Sequence, residues 1–216
     1  MDHVDQTIQT YNKIAHDYEL IYTPEQIAWK EYSMREFNSL LPGKTVLVAA
    51  CGEGRHSRYL RDLGTEVTSF DLSDRMLEIA RSNDPTGIYI KKDLREVSDL
   101  EATFDGIWAC ACLYHLTKTE FRRCMQDMRN MLHPEGVLFL NIKIGSGEKY
   151  IETPRDGYPG GEKAQEKLSG SRYYSFYSRE ELNPYFIGLS IVKEREDLLK
   201  EGQGAMEFWL RKSHIA

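Results

Sequence analysis

Between Thr45 and Leu60 the chain reads TVLVAACGEGRHSRYL. The apolar run Val46 to Ala50 breaks at Cys51-Gly52-Glu53-Gly54 and restarts as a polar, helix-compatible segment. A short apolar run bounded by glycines fits a buried strand, and the glycines fit a turn into a helix. Seventeen residues beyond Gly54 stands Asp71, at the end of a second strand-like run, Glu66-Val67-Thr68-Ser69-Phe70. Glycines let backbone approach a ligand closely, and an acid at the tip of the next strand can accept hydrogen bonds from ribose hydroxyls. The pairing predicts a nucleoside site.

Outward from this stretch, strand and helix signals alternate. Val4 to Leu40 is mostly helical in pattern, broken at Pro24, with Tyr11, Ile14, Ala15 and Tyr18 on one face and Trp29, Tyr32 and Phe37 continuing the amphipathic pattern. Leu41-Pro42-Gly43-Lys44 turns into the first strand. Ser73 is a predicted N-cap for a helix over 74–81, and Asn83 to Gly87 turns into a strand over 88–91. Thr117-Lys118-Thr119-Glu120 and Ser178-Arg179-Glu180-Glu181 are capping boxes. Pro134-Glu135-Gly136 leads into a strand over 137–144, and 189–195 and 206–212 read as a final strand pair. Such βαβα alternation predicts a mostly parallel sheet with helices on both faces and ligands at the carboxyl ends of its strands, near Asp71, Asp93, Cys110 and Lys143. Gly145 to Phe176 breaks the rhythm with six glycines and two prolines, among Tyr150, Tyr158, Tyr173 and Tyr174. No helix or strand of normal length fits there, and a long segment after the fifth strand predicts a lid over the ligand side.

The glycine turn excludes some ligands. Counted from Gly52, the dinucleotide pattern G-x-G-x-x-G would need a glycine where Ser57 stands, and no P-loop pattern occurs. The C-G-x-G form with Asp71 resembles the cofactor loop of class I S-adenosylmethionine-dependent methyltransferases. Four further motifs resemble that family in order: Phe70 to Leu77, Lys92 to Arg95, Phe104 to Leu116 and Met131 to Phe139. The resemblance runs from Tyr11 to Val137, and a tail pattern extends it to Lys212. It implies an α/β fold, a single Rossmann-like domain over 1–216. The expected sheet is seven-stranded, mostly parallel, with an antiparallel C-terminal strand pair and helices on both faces. Its parts are an N-terminal helical cap (1–40), a cofactor-binding core (41–144), a lid or insertion (145–177) and a C-terminal helix and strand pair (178–216). S-adenosyl-L-methionine is the implied cofactor, bound by Ala50, Cys51, Gly52, Gly54, Asp71, Leu72, Met76, Asp93, Leu94 and Cys110. Asp71 is implied to meet the ribose and Asp93 the adenine amino group. Two positions depart from the family: Val48 stands where the first strand usually ends in an acid, and Ala50 replaces the first glycine. Alanine fits at 50 if its φ is negative and is strained otherwise; either cofactor affinity is lower, or another residue supplies the missing contact.

At 216 residues and 41% hydrophobic, 29% charged residues, the chain is of one ordinary soluble domain. It has no apolar run of membrane-spanning length, and MDHVDQTIQT lacks the character of a signal peptide. A cytoplasmic location is the default expectation, as a monomer or homodimer, with no membrane partner. With a net charge of −6 and scattered basic residues, nucleic acid is disfavoured as a partner. Cys51, Cys110, Cys112 and Cys124 have no metal-site spacing, so no metal is expected; they read as buried apolar residues, with Cys110 and Cys112 on one face if both lie in a strand.

Methyl transfer from a sulfonium mainly needs alignment, and a base only for an acceptor that starts protonated. His115 is the base candidate, with an ordinary pKa near 6.5. Tyr11, Tyr18 and Tyr114 are candidates to face the sulfonium or line the acceptor site, and Lys143 and Arg155 to hold an acidic acceptor. His56 and Arg58 are expected on the surface of the first core helix. The leading expectation is methyl transfer to a small-molecule acceptor. An RNA-modifying methyltransferase and a non-catalytic cofactor-binding regulator are the alternatives. The sequence does not identify the acceptor.

Overall fold

The computed structural model describes residues 2–153, 167–197 and 204–213. Its frame is a seven-stranded sheet. The strands are β1 (Thr45–Ala49), β2 (Glu66–Asp71), β3 (Ile88–Lys91), β4 (Phe104–Ala109), β5 (Leu132–Lys143), β8 (Leu189–Asp197) and β9 (Ala205–Lys212), in the order β3-β2-β1-β4-β5-β9-β8. The first five are mutually parallel, and β9 runs antiparallel to β5 and β8. The order reverses direction between β1 and β4, so a crevice opens at their carboxyl ends.

Period-two alternation sends successive side chains to opposite faces. Leu47, Ala49, Ile107 and Leu138 face a core closed by α5 (Lys118–Met131), while Val46, Val48, Trp108 and Phe139 face a second core closed by α2 (Pro24–Leu40), α3 (Arg55–Asp62) and α4 (Asp74–Asn83). Trp108 stacks on Phe139 with centroids 3.8 Å apart. Both predicted capping boxes form, at Thr117 and at Ser178, the latter opening the short α6 (Arg179–Leu182). Pro24 occupies the first turn of α2 behind its N-cap Thr23, where a missing N–H costs nothing. Of the aromatics expected to continue the apolar face of α2, Phe37 is buried, but Trp29 and Tyr32 are exposed; the Arg195 guanidinium lies 3.8 Å over the Trp29 ring.

Two features differ from the sequence reading. First, Gly145 to Phe176 is not without strands. β6 (Glu148–Thr153) pairs antiparallel with β7 (Gly170–Ser175), Tyr150 opposite Tyr173, as a separate two-stranded sheet. The strands escape a periodicity search because neither has a continuous core face; β7 is completed by α1 (His3–Ile14). Thr10 Oγ1 donates to the Ser171 carbonyl at 2.7 Å, and the Tyr173 N–H donates to Thr7 Oγ1 at 3.1 Å. Tyr158 and Arg155 lie outside the described residues. Second, Cys110 and Cys112 fall in opposite cores, because β4 ends at Ala109 and Ala111 takes φ 58°, turning the chain over. All four cysteines are free and buried, and burial raises their thiol pKa values. No group of side chains suited to a metal ion occurs among the described residues, and no described helix is long and apolar enough to cross a membrane.

Candidate active site

A cleft of about 960 Å³, counting the part open to solvent, lies at the carboxyl ends of β1, β2 and β4 and is roofed by α1. Of the predicted site residues it brings together Ala50, Cys51, Gly52, Asp71, Leu72, Met76, Asp93, Leu94, Cys110, His115, Tyr11 and Tyr18. Gly54, Tyr114 and Lys143 do not line it. Gly54 sits behind the turn at φ 83°, where an added Cβ would stand 2.8 Å from the Tyr89 hydroxyl. Tyr114 stacks on Tyr174 at 5.5 Å, and the Lys143 ammonium lies 5.8 Å over the Tyr114 ring.

Asp71 holds the glycine turn in shape. Its Oδ2 accepts the Gly52 N–H and its Oδ1 the Ser73 N–H, each at 2.8 Å. These leave lone pairs for two further donors, the demand of a vicinal diol. Burial raises the pKa of this carboxyl, and the backbone N–H groups of Ser73, Gly52 and Leu72 act against that rise. Gly52 takes φ 55° and Ala50 φ 48°. The alanine is therefore in the strained case, at about 1–2 kcal/mol for an L-residue in the left-handed region.

Asp93 is differently engaged. Its Oδ1 accepts the Arg95 N–H at 2.8 Å, and the Arg95 guanidinium grips both oxygens, with Nη2 to Oδ2 at 2.7 Å. Arg95 also pairs with Asp2, tying the start of α1 to this corner. Asp93 lines the cleft with its carboxylate paired to that arginine.

His115 ends a short 3-10 turn after β4 and is 8% exposed. Its Nδ1 lies 2.7 Å from the Tyr173 carbonyl, which can only accept, so Nδ1 carries the proton. Nε2 is then bare and accepts the Tyr11 hydroxyl at 2.8 Å. The expected base near pH 6.5 is not what burial produces. Desolvation pushes the imidazole down to about 3, helped by the charges of Arg172 and Lys143. The ring is neutral and orients Tyr11. Tyr11 in turn packs edge-on against Tyr18, and the Tyr18 and Tyr22 hydroxyls lie 3.4 Å apart.

The sequence reading assigns no site role to the lining residues Glu53, Arg55 and Tyr22, and it places His56 elsewhere. His56 is not on an outer helix surface; its Nδ1 accepts the Trp108 indole N–H at 3.2 Å, and desolvation lowers its pKa to about 3. Its place in the first turn of α3, two residues past the glycine turn, was the available signal. Arg58 is exposed, as expected.

Residues 46–136 match the family model of a methyltransferase domain. That match spans less than half of the chain. A malonyl-[acyl-carrier protein] O-methyltransferase of Enterobacter lignolyticus (strain SCF1) is 38% identical over 93 residues, 43% of this chain and 36% of that protein. The enzyme of that name from Salmonella typhimurium is 29% identical over 140 residues, 63% of this chain and 53% of that protein. The chain thus spans half or less of the length of most of these curated relatives. Among solved structures, magnesium protoporphyrin IX methyltransferase (ChlM) from Synechocystis PCC 6803 with bound SAM has a TM-score of 0.70 at 16% identity, covering 99% of this chain and 98% of that one. N-methyltransferase NodS from Bradyrhizobium japonicum WM9, in complex with S-adenosyl-L-homocysteine, has a TM-score of 0.69 at 16% identity, covering 98% and 99%. These two likenesses show the fold.

Proposed function

We propose that this chain binds S-adenosyl-L-methionine in the cleft and transfers its methyl group to a small-molecule acceptor. The observation that carries this reading is Asp71. Its buried carboxylate clamps the Gly52 turn at the sheet's switch point and keeps acceptor capacity for ribose, inside a matched methyltransferase domain. Cys51, Leu72, Met76, Leu94 and Cys110 supply apolar walls for a nucleoside. When bound, the cofactor supplies a methyl group on a sulfonium leaving group. We read the described residues as one domain, with α1 and the β6–β7 insertion as the covers of the site. Four buried free thiols fit a reducing, cytoplasmic compartment.

The acceptor end is built around Tyr11, Tyr18, Tyr22 and His115. A histidine held down to about 3 is a weak base at neutral pH. The site therefore suits an acceptor that arrives with a lone pair already free. Lys143 and Arg172 bear on His115 as positive charges, which favours an anion. A small carboxylic acid, methylated on a carboxylate oxygen, meets both conditions, and the names of the O-methyltransferase relatives are in keeping with it. His115 and Tyr11 then orient the acceptor, and α1 excludes water. With the cofactor bound, a carboxylate acceptor held in line by Tyr11 and His115 would take the methyl group without giving up a proton.

Asp71→Ala is expected to weaken S-adenosylhomocysteine at least about tenfold, since each charge-assisted hydrogen bond contributes about 1.5–3 kcal/mol. Calorimetry reads this directly, and unchanged affinity would remove Asp71 from the site. A panel of carboxylic acids, phenols and amines offered with labelled cofactor should yield methyl esters. The rate should be flat between about pH 6 and 8. Labelled phenol ethers or methylamines alone would refute the carboxylate assignment.

A further inference from the structure

The first strand ends without the acid that would meet the cofactor's amino-acid part. Val48 is 1% exposed, faces the α2–α3 core and does not reach the cleft. Two charged side chains from the adjacent turn do reach it, Glu53 and Arg55. Glu53 stands between Gly52 at φ 55° and Gly54 at φ 83°, a backbone path that turns its carboxylate inward, leaving the side chain 14% exposed. Arg55 opens α3 beside it, at 25% exposure.

The pairing of these two residues is incomplete. Arg55 Nε lies 3.2 Å from Glu53 Oε1, within ion-pair reach, but not along its N–H direction. Glu53 Oε1 is buried and accepts no hydrogen bond among the described residues. The Arg55 guanidinium is instead drawn over the Tyr22 ring, 4.9 Å from its centroid. A buried carboxylate oxygen without a donor is costly unless a ligand supplies one. Burial raises the Glu53 pKa, and the charges of Arg55 and Arg58 act against that rise.

We propose that Glu53 and Arg55 form a clamp for the α-amino-acid zwitterion of the cofactor, Glu53 accepting from its ammonium and Arg55 donating to its carboxylate. The inference rests on the cofactor reading above. An acid and a base side by side, each with hydrogen-bonding capacity in hand, complement such a head group, and the exchange leaves no buried charge unpaired. The carboxylate missing at Val48 is thereby supplied from the turn.

Two ligands separate this from the cofactor reading itself. S-adenosylhomocysteine carries the amino-acid head, and 5′-methylthioadenosine keeps the nucleoside and sulfur but lacks the head. Calorimetry on Glu53→Gln and Arg55→Gln should show S-adenosylhomocysteine weakened about tenfold or more by either change. 5′-Methylthioadenosine should stay within about twofold of the wild type. Thermal melts check that each variant is folded, and either one suffices if the other is not. Equal losses for both ligands, or no loss for either, would overturn the clamp while leaving the cofactor reading intact. A wild-type protein that binds neither ligand would overturn the cofactor reading and the clamp with it.

Discussion

Val48 shows how one residue's orientation fixes its consequences. It pairs in register with Ser69 on β2 and Trp108 on β4, and its side chain packs with Met34, Phe37 and Leu60. A carboxylate at 48 would enter that apolar core. Val48→Asp is therefore expected to destabilise the fold by roughly 3–5 kcal/mol, the scale of a buried charge without a partner. In a protein of this size that lowers the melting temperature by roughly 6–20 °C. Cofactor affinity should not improve. Differential scanning calorimetry with a binding titration checks both, and tighter binding at an unchanged melting temperature would show that position 48 does reach the ligand. Ala50, two residues on, faces the cleft instead and carries left-handed strain at φ 48°. Departures from the family pattern two residues apart thus have different physical outcomes.

At the scale of elements, α1 lies over the cleft, and the β6–β7 hairpin holds both α1 and His115. The hairpin is closed at its base, where the Phe176 N–H donates to the Gly147 carbonyl at 2.9 Å. Residues 148–175 can therefore be replaced by a short glycine link without straining β5. The seven-stranded sheet makes its own ladder and both its cores, so the shortened protein should fold. Excision removes the Tyr173 carbonyl that holds His115 Nδ1 and the strand that anchors α1. Methyl transfer is expected to fall by more than about a hundredfold, the cost of losing acceptor alignment. Affinity for S-adenosylhomocysteine should fall by about tenfold or less, because the Asp71 turn is untouched. Comparable losses in both measurements would mean that the hairpin serves the cofactor end. The core strands, both capping boxes and the strand-end acids were legible in the sequence because they rest on local chemistry: periodicity, side-chain caps and glycine turns. The hairpin was not, since its strands are stabilised by α1 across some 160 residues, and Glu53 and His56 were not, since only the fold turns them inward.

Over the whole molecule, buried titratable groups link stability to pH. His56 and His115 take up a proton at about the ordinary value of 6.5 when unfolded but only at about 3 in the folded chain. Between those values the unfolded state binds more protons, so stability falls as pH falls. Each histidine contributes a slope of up to about 1.4 kcal/mol per pH unit. Glu53 and Asp71 act with the opposite sign. Their folded pKa values are raised above 4.5 and 3.8, so above those values the folded state holds more protons and stability falls as pH rises. The histidine contribution by itself weakens the protein on acidification below about pH 6. His115→Gln removes one of the two imidazoles while keeping a polar side chain beside Tyr11. Its stability, measured by urea unfolding at a series of pH values, should depend less steeply on pH between about 6 and 4 than that of the wild type, by up to about 1.4 kcal/mol per unit. Parallel curves for the two proteins would mean that His115 titrates alike in both states, and would return it to the role of a base near neutral pH.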